Sequence, residues 1–383
     1  MIETFDEQVS MVRIRAAHGS MACLRHVTAG RAVTTSLKGH SVVRYRSVWS
    51  APPLRLDDLD APCRHWIDEL GRQHPKLVLR LLSRVRSICV AHHGGGQWHD
   101  RIAHVSIMVD GRLTSSASPI RVRSRLVLDV SELTAADLDR ELAGAANSAP
   151  SKTDAWPWPD REVRLPVVFA PGVGGTALHE VVGHGLEADH GCPVPPAGTR
   201  LATPTVTVID DPTRPGLWGS RRIDDEGAAA IPIIMVDRGV VRDALHARET
   251  SPAASSARRM DYRSRPLARM SNTYLAPGGD DPAALLAGDA VLYCVAGGSA
   301  EVRPGSRDVS LRIRSAQLWR DGAPASIHRS LTLHFTTDEL LFGIEGVGAD
   351  MAFQPGRCTK EAQAVLVSHG APTFRLARVR VNT

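Results

Sequence analysis

Two histidines and a glutamate stand together in the stretch GTALHEVVGHGLEAD, residues 175–189, in the order His179-Glu180-x-x-x-His184. Imidazole nitrogens bind zinc well, and a neighbouring carboxylate can take a proton from water, so these residue types suit metal-assisted hydrolysis. The spacing is one residue longer than the His-Glu-x-x-His helix of the common zinc peptidases. On an ideal α-helix each residue turns the chain by about 100°, so ligands at i and i+4 lie about 40° apart and can grip one ion, whereas at i and i+5 they diverge by about 140°. Convergence of His179 and His184 therefore demands a local widening of the helix. Gly183, directly before His184 and close to Gly185, is the kind of residue that tolerates a π-bulge or an early helix end. A distorted helix over 179–185 is the expectation. The competing arrangement is a regular helix in which Glu180 and His184, at i and i+4, form a hydrogen-bonded pair while His179 points elsewhere.

A hydrolytic zinc site needs a third protein ligand and keeps its fourth position for water. The sequence offers the thiols of Cys192, Cys294 and Cys358, the imidazole of His190 and the carboxylates of Glu187 and Asp189, and does not by itself choose among them. A second histidine cluster, AHHGGGQWH with His92, His93 and His99, reads as a surface loop, because adjacent histidines point in different directions and the glycines free the backbone. The six cysteines, Cys23, Cys63, Cys89, Cys192, Cys294 and Cys358, have no paired spacing. They read as reduced thiols rather than a disulfide framework.

The elements that must position these residues follow from hydrophobic periodicity. The alternating runs VRIRAA and HSVVRYRSVW predict strands in the first 50 residues. LDDLDAPCRHWIDELGRQ sets Leu59, Trp66, Ile67 and Leu70 near helical spacing behind an Asp57 or Asp58 cap, and TAADLDRELAGAANSA predicts a helix capped by Thr134. KLVLRLLSRVRSICVAHH fits either a helix or a strand. HVSIMVDGRL and RVRSRLVLDV are strand-like, the first with an Asp-Gly turn. Residues 1–147 are thus read as a mixed α/β N-terminal domain. NSAPSKTDAWPWPDREV is polar, proline-bearing and unpatterned, which predicts a linker over 148–163. Over 164–383, RLPVVFAP predicts a strand and GVGG a turn into the motif helix. TPTVTVIDD, IPIIMVDRGVVRDAL, DAVLYCVAGG, RDVSLRIRSAQLWRDGAPA, RSLTLHF, AVLVSHG and FRLARVRV then predict strands. The fold class is α+β, with a β-rich C-terminal domain that carries the metal-binding helix.

Composition narrows the function classes. With 383 residues, 43% hydrophobic and 23% charged, the chain is long enough for two cored domains and has the balance of a soluble globular protein. No run approaches the roughly 18–20 apolar residues of a membrane span, and MIETFDEQVSMVRIR lacks a secretory pattern, so a cytoplasmic location and no membrane partner are expected. The net charge of +5 comes from 42 Arg and 4 Lys. These are interspersed with acids and form no basic block, so no nucleic-acid partner is expected.

LHEVVGHGLEAD resembles the signature of the TldD/PmbA family of zinc peptidases, in which the TldD-type subunit carries His-Glu-x-x-x-His and the TldE (PmbA) type lacks it. Further collinear matches are RIDDEGAAA at 222–230, RMSNTYLAPG at 269–278, VAGGSAEV at 295–302 and GRCTKEAQ at 356–363, so the resemblance covers about residues 160–383. It implies that His179, His184 and Cys358 hold Zn²⁺ and that Glu180 is the general base, with Cys294 the next candidate ligand. It also implies a peptidase acting on extended or unfolded peptides, paired with a TldE-like subunit or with a second copy. Leader-peptide trimming and clearance of small unfolded proteins are the roles it suggests. Removal of an aminoacyl or peptidyl group from a biosynthetic intermediate is the near alternative. The intact motif argues against a non-catalytic, TldE-like assembly partner. Departures fall around the cysteine, where the family has Cys-Gly-Lys followed by Gly-Gln and this chain has Arg357, Thr359 and Ala362. They bear on substrate preference more than on the metal. Asp224, Asp225, Glu226, Asn272 and Tyr274 in the middle motifs are read either as supports and substrate contacts or as structural turn residues.

Overall fold

Alternation of period two, rather than helical spacing, governs most of the described residues of the computed structural model, which are 2–17, 20–37, 40–47, 77–92, 96–111, 120–122, 163–191, 193–302 and 307–382. The first strands are β1 (Ile2–Ala17), β2 (Ser20–Leu37), β3 (His40–Ser47), β4 (Leu77–His92), β5 (Gln97–Gly111) and β6 (Ile120–Val122). They form one sheet in the order β3-β2-β1-β4-β5-β6, with every neighbouring pair antiparallel. Within KLVLRLLSRVRSICVAHH, Leu77–His92 is therefore strand, its β-branched residues winning over its helical reading. The helices expected near 56–73 and 134–147, most of RVRSRLVLDV, His93 and the linker as far as residue 162 lie outside the described residues. Val163 already belongs to a strand.

The strands that follow are β7 (Val163–Phe169), β8 (Val208–Asp210), β9 (Ile233–Asp237), β10 (Val240–Val241), β11 (Ala257–Arg258), β12 (Leu267–Ala268) and β13 (Asn272–Leu275). They continue with β14 (Val291–Val302), β15 (Asp308–Arg320), β16 (Ala323–Thr336), β17 (Ile344–Val347), β18 (Ala352–Lys360), β19 (Gln363–Ala371) and β20 (Phe374–Asn382). Among the described residues, helix is confined to α1 (Gly175–Leu178) with the turns after it, a 3₁₀ turn at Ala284–Leu286, and α2 (Thr337–Gly343). No helix among the described residues is long and apolar enough to cross a membrane.

One C-terminal sheet runs β16-β15-β14-β7-β20-β17, and β16 also pairs with β20, so the sheet closes on itself. A second sheet runs β10-β9-β8-β13-β19-β18. Inward-facing residues of both, such as Phe169, Met235, Leu292, Leu333 and Phe374, share one core with Leu178, Val182 and Leu186 from the helical segment. That segment is buried because apolar surface from two sheets meets on it.

The N-terminal sheet docks through buried charge. Arg86 Nε donates to Glu7 Oε1 at 2.6 Å, and its other guanidinium nitrogens donate to both oxygens of Asp225 at 3.0 and 3.1 Å. Tyr262 N–H donates to Glu7 at 2.9 Å, and the Arg259 guanidinium lies 4.0 Å from the centre of the Phe5 ring. Phe5, Ile88 and Val90 pack with Ile223 and Tyr262 beside these bonds. Arg86, Glu7 and Asp225 therefore each have an opposite partner at this junction, as burial requires.

Candidate metal centre

α1 lasts a single turn before the chain widens into a π turn at His179–Gly183 and tightens into a 3₁₀ turn at His184–Leu186. The His184 N–H donates to the His179 carbonyl, the i to i+5 bond that defines the wider turn. The distortion expected from the spacing is present at 179–183. The reason for glycine at 183 is different from the expected backbone freedom. Gly183 has φ −57° and ψ −64°, a conformation open to any residue, but a Cβ there would stand 1.9 Å from Met270 Sδ. Close packing, not flexibility, excludes a side chain. Gly175 does the same at the start of α1, where a Cβ would come within 2.8 Å of the Gly370 backbone on β19.

The widened turn brings His179 and His184 toward Cys358 on β18, and the ligand atoms of the three lie within 4.8 Å of one another. The two imidazole rings are 5.3 Å apart, and Cys358 Sγ is 3.2 Å from His184 Nε2. His179 and Cys358 are buried, each 3% exposed. Glu180 Oε2 lies 3.9 Å from His184 Nε2. That is beyond hydrogen-bond reach, so the regular-helix pair of Glu180 and His184 is not formed.

Burial alone would raise the Cys358 thiol, but the adjacent His179 and His184 imidazoles hold it down to about 4. Burial alone would lower His184, but its bonds to Cys358 and Glu187 push it up to about 10. His179 is also raised, because Cys358 outweighs the cost of burial. The group thus keeps a thiolate and gathers protons on its imidazoles. Such a set is built to hold positive charge, and two imidazoles with one thiolate form a donor set suited to Zn²⁺ rather than to the oxygen-seeking Ca²⁺ or Mg²⁺. The residues present fit a zinc ion. Burial raises the Glu180 carboxyl above its ordinary value, against the pull of His179 and His184.

The remaining candidate ligands fall into supporting places. Glu187, fully buried, accepts from His184 Nδ1 at 2.8 Å, which fixes the tautomer and turns Nε2 toward Cys358. Lys360 Nζ donates to Glu187 at 3.1 Å, to Asp189 and to the Ala268 carbonyl. The Asp189 carboxylate also accepts the Ala268 N–H at 2.9 Å. His190 stacks on His184 with ring centres 5.1 Å apart and, with Glu187 and His184, makes a second group of donor atoms. That group shares His184 with the first and uses the face already bonded to Glu187. Cys294 is buried in β14 and belongs to neither group. Burial raises its thiol, which keeps it neutral. Cys192 lies outside the described residues.

Lys360, Arg269 and His369 were not singled out by spacing. Fully buried Arg269 donates to the Cys358 carbonyl at 2.7 Å and to the Gln363 carbonyl at 3.1 Å, clamping the β18–β19 turn beside the thiol. Lys360 had a signal: it stands two residues after Cys358, on the same face of a strand. His369 had one too, sharing the period-two face of Val365 and Val367 on β19. Its ring lies 6.1 Å from that of His179 and contacts Thr176 Oγ1 at 3.3 Å.

Beside the ligands is a cleft of about 660 Å³, lined by His179, Glu180 and His369, by Gly297–Ala300 of β14, and by residues of β18. The motif at 222–230 serves elsewhere. Asp224 accepts from the N–H groups of Glu226, Ala228 and Ala257, and Asp225 holds Arg86 and Arg259, so these are turn and docking residues. Asn272 braces Gly219 and Asp211, while Tyr274 packs on Phe353 of the cleft wall with ring centres 5.4 Å apart. Of the other histidine cluster, His92 bonds the Glu226 carbonyl at 3.1 Å, whereas His99 is exposed.

Residues 162–383 match the PmbA/TldA metallopeptidase C-terminal domain. Among relatives, a metalloprotease of Archaeoglobus fulgidus is 34% identical over 219 residues, 54% of this chain and 51% of its own. A zinc metalloprotease TldD homolog of Saccharolobus solfataricus is 26% identical over 225 residues, 56% of this chain and 51% of its own. The chain spans about half the length of the curated relatives it matches. The crystal structure of TldE from Thermococcus kodakarensis shares the fold, with a TM-score of 0.72 at 11% identity over 100% of this chain and 96% of that one. With more than half its length matched to that domain, and a His-Glu-x-x-x-His turn closing on a cysteine, the chain belongs to the TldD/PmbA metallopeptidase family.

Proposed function

We propose that the chain carries the catalytic centre of a zinc-dependent peptidase that cuts extended or unfolded peptides, with His179, His184 and Cys358 as ligands and Glu180 as general base. The observation that carries this reading is the cluster itself, two imidazoles and a thiolate with ligand atoms within 4.8 Å, beside a cleft lined by His179 and Glu180. When bound, zinc supplies Lewis acidity that lowers the pKa of water and polarises a carbonyl. Glu180 takes a proton at its carboxylate and returns it to the leaving amine, a task that a carboxyl raised by burial performs better than an exposed one. Glu187 holds the proton on His184 Nδ1 throughout, keeping Nε2 available as a ligand.

The cleft suits an extended chain. β7 pairs only with Leu292, Tyr293 and Cys294 of β14, so beyond Cys294 the β7 side of β14 has no strand partner among the described residues. The pairing with β15 is also irregular between Cys294 and Ala300, and bulges of this kind cluster beside active sites. A peptide laid along that edge would gain main-chain hydrogen bonds next to Glu180. We pair the chain with a TldE-like subunit, or with a second copy, in keeping with its family.

The test is Glu180→Ala. Zinc content should stay at that of the parent protein while peptide hydrolysis falls by about 10²–10⁴-fold, the worth of a positioned general base. Full hydrolysis by a zinc-replete Glu180→Ala protein would remove Glu180 from the mechanism.

A further inference from the structure

Among the described residues that line the cleft, guanidiniums outnumber carboxylates. Glu180 is the one carboxylate among the described lining residues, and in the peptidase reading it is committed to proton transfer. Against it stand two guanidiniums from different sheets, Arg314 on β15 and Arg357 on β18. Arg314 reaches the cleft by lying over β14 where that strand has no side chains: its Nε donates to the Gly297 carbonyl at 2.5 Å, and Gly298 follows. A Cβ at Gly298 would stand 2.8 Å from the Arg312 carbonyl, so this glycine is what lets β15 approach so closely. Arg357 is exposed and has no ion-pair partner among the described residues. The trough continues past Ser299 and Ala300 into a second hollow, where Arg312, two residues from Arg314 and on the same strand face, is another lining residue. Glu301 is the one acid there.

We propose that this cleft selects acidic peptides, whose Asp or Glu side chains on either side of the cut bond are held by Arg314 and Arg357. The proposal rests on the peptidase reading and adds the substrate class to it. A guanidinium presents paired N–H donors that match a carboxylate, and two such groups flanking the edge of β14 would fix the register of a strand laid along it. Complementary charge also speeds encounter, in a manner that salt suppresses. A basic peptide would meet two like charges at the same places.

The test uses the zinc-loaded chain and three quenched-fluorescence peptides that differ only in the flanking residues, which are acidic, amide or basic. The acidic peptide should be cut with a kcat/KM about tenfold above its amide counterpart at low salt, a gain of the size that two exposed charge pairs give. That advantage should shrink at about 1 M salt, where the Debye length is about 3 Å. The double variant Arg314→Glu/Arg357→Glu should prefer the basic peptide while keeping its zinc. Equal rates for the three peptides, or an unchanged preference in the double variant, would overturn the proposal. Cleavage of none of them by zinc-replete protein, alone and together with a TldE-like subunit, would sink the peptidase reading instead. The charge preference is then read from fluorescence anisotropy of the same peptides on the Glu180→Ala protein, where equal affinities would overturn the acidic-peptide proposal on its own.

Discussion

At the residue scale the centre is a trade between protons and a metal ion. His184 is raised to about 10 and Cys358 lowered to about 4, so between those values the metal-free group holds a thiolate beside an imidazolium. Zinc needs the deprotonated forms of its ligands. Uptake at neutral pH must therefore expel the proton from His184 and none from Cys358. The sign follows: apparent zinc affinity should rise with pH across about pH 6 to 9, by about tenfold per unit for each proton displaced. Calorimetric titration in buffers of different ionisation heat measures that release. An affinity independent of pH over the range would mean that His184 is not displaced from its proton and is not a ligand. The histidine pair was legible in the sequence because its i, i+5 spacing is chemically odd for one helix face. Cys358 was not legible from spacing, since it lies 174 residues beyond His184, and only the resemblance singled it out. Glu187 and Asp189 were visible as acids, but their work on His184 and Lys360 depends on which side of the turn they leave.

At the element scale the decisive feature is a single π turn held by packing. Adding a methyl at 183 would drive a Cβ into Met270 Sδ, and Met270 is itself fully buried in the core, which leaves the thioether little room. Gly183→Ala should cost about 1–3 kcal/mol, the range for overpacked cores. Because the same turn presents both histidines, the variant should also bind zinc more weakly than the parent. Thermal unfolding with and without added zinc reads both effects. An unchanged melting temperature together with unchanged zinc affinity would show that Met270 yields freely and that the turn is set by other contacts. The widened helix was predictable from spacing, yet the reason for its glycine was not, because Met270 is brought there by tertiary structure. The C-terminal strands were legible through their alternation. KLVLRLLSRVRSICVAHH was not, as its continuous apolar character fits either element until a sheet claims it.

At the scale of the whole molecule, long-range pairing does what no local pattern announces. The closure of β16 onto β20, the parallel contact of β13 with β19 that places β18 beside the helical segment, and the docking of RIDDEGAAA on the N-terminal sheet all join residues far apart in sequence. Removing Arg86 would leave Glu7 and Asp225 buried without their common partner. Arg86→Ala should therefore loosen the N-terminal sheet by about 3–5 kcal/mol. Limited proteolysis within residues 2–122 should accelerate while zinc content is kept. Loss of zinc in that variant would show that the sheet supports the centre as well as docking on the C-terminal part. The account as a whole stands on one claim, that an early helix and a late strand meet on a single zinc ion. X-ray absorption at the zinc edge of the folded, zinc-loaded chain tests it most directly. The account predicts one sulfur at about 2.3 Å and two imidazole nitrogens at about 2.0–2.1 Å, with the sulfur signal lost in Cys358→Ala. A shell of nitrogen and oxygen alone in the parent protein would contradict it.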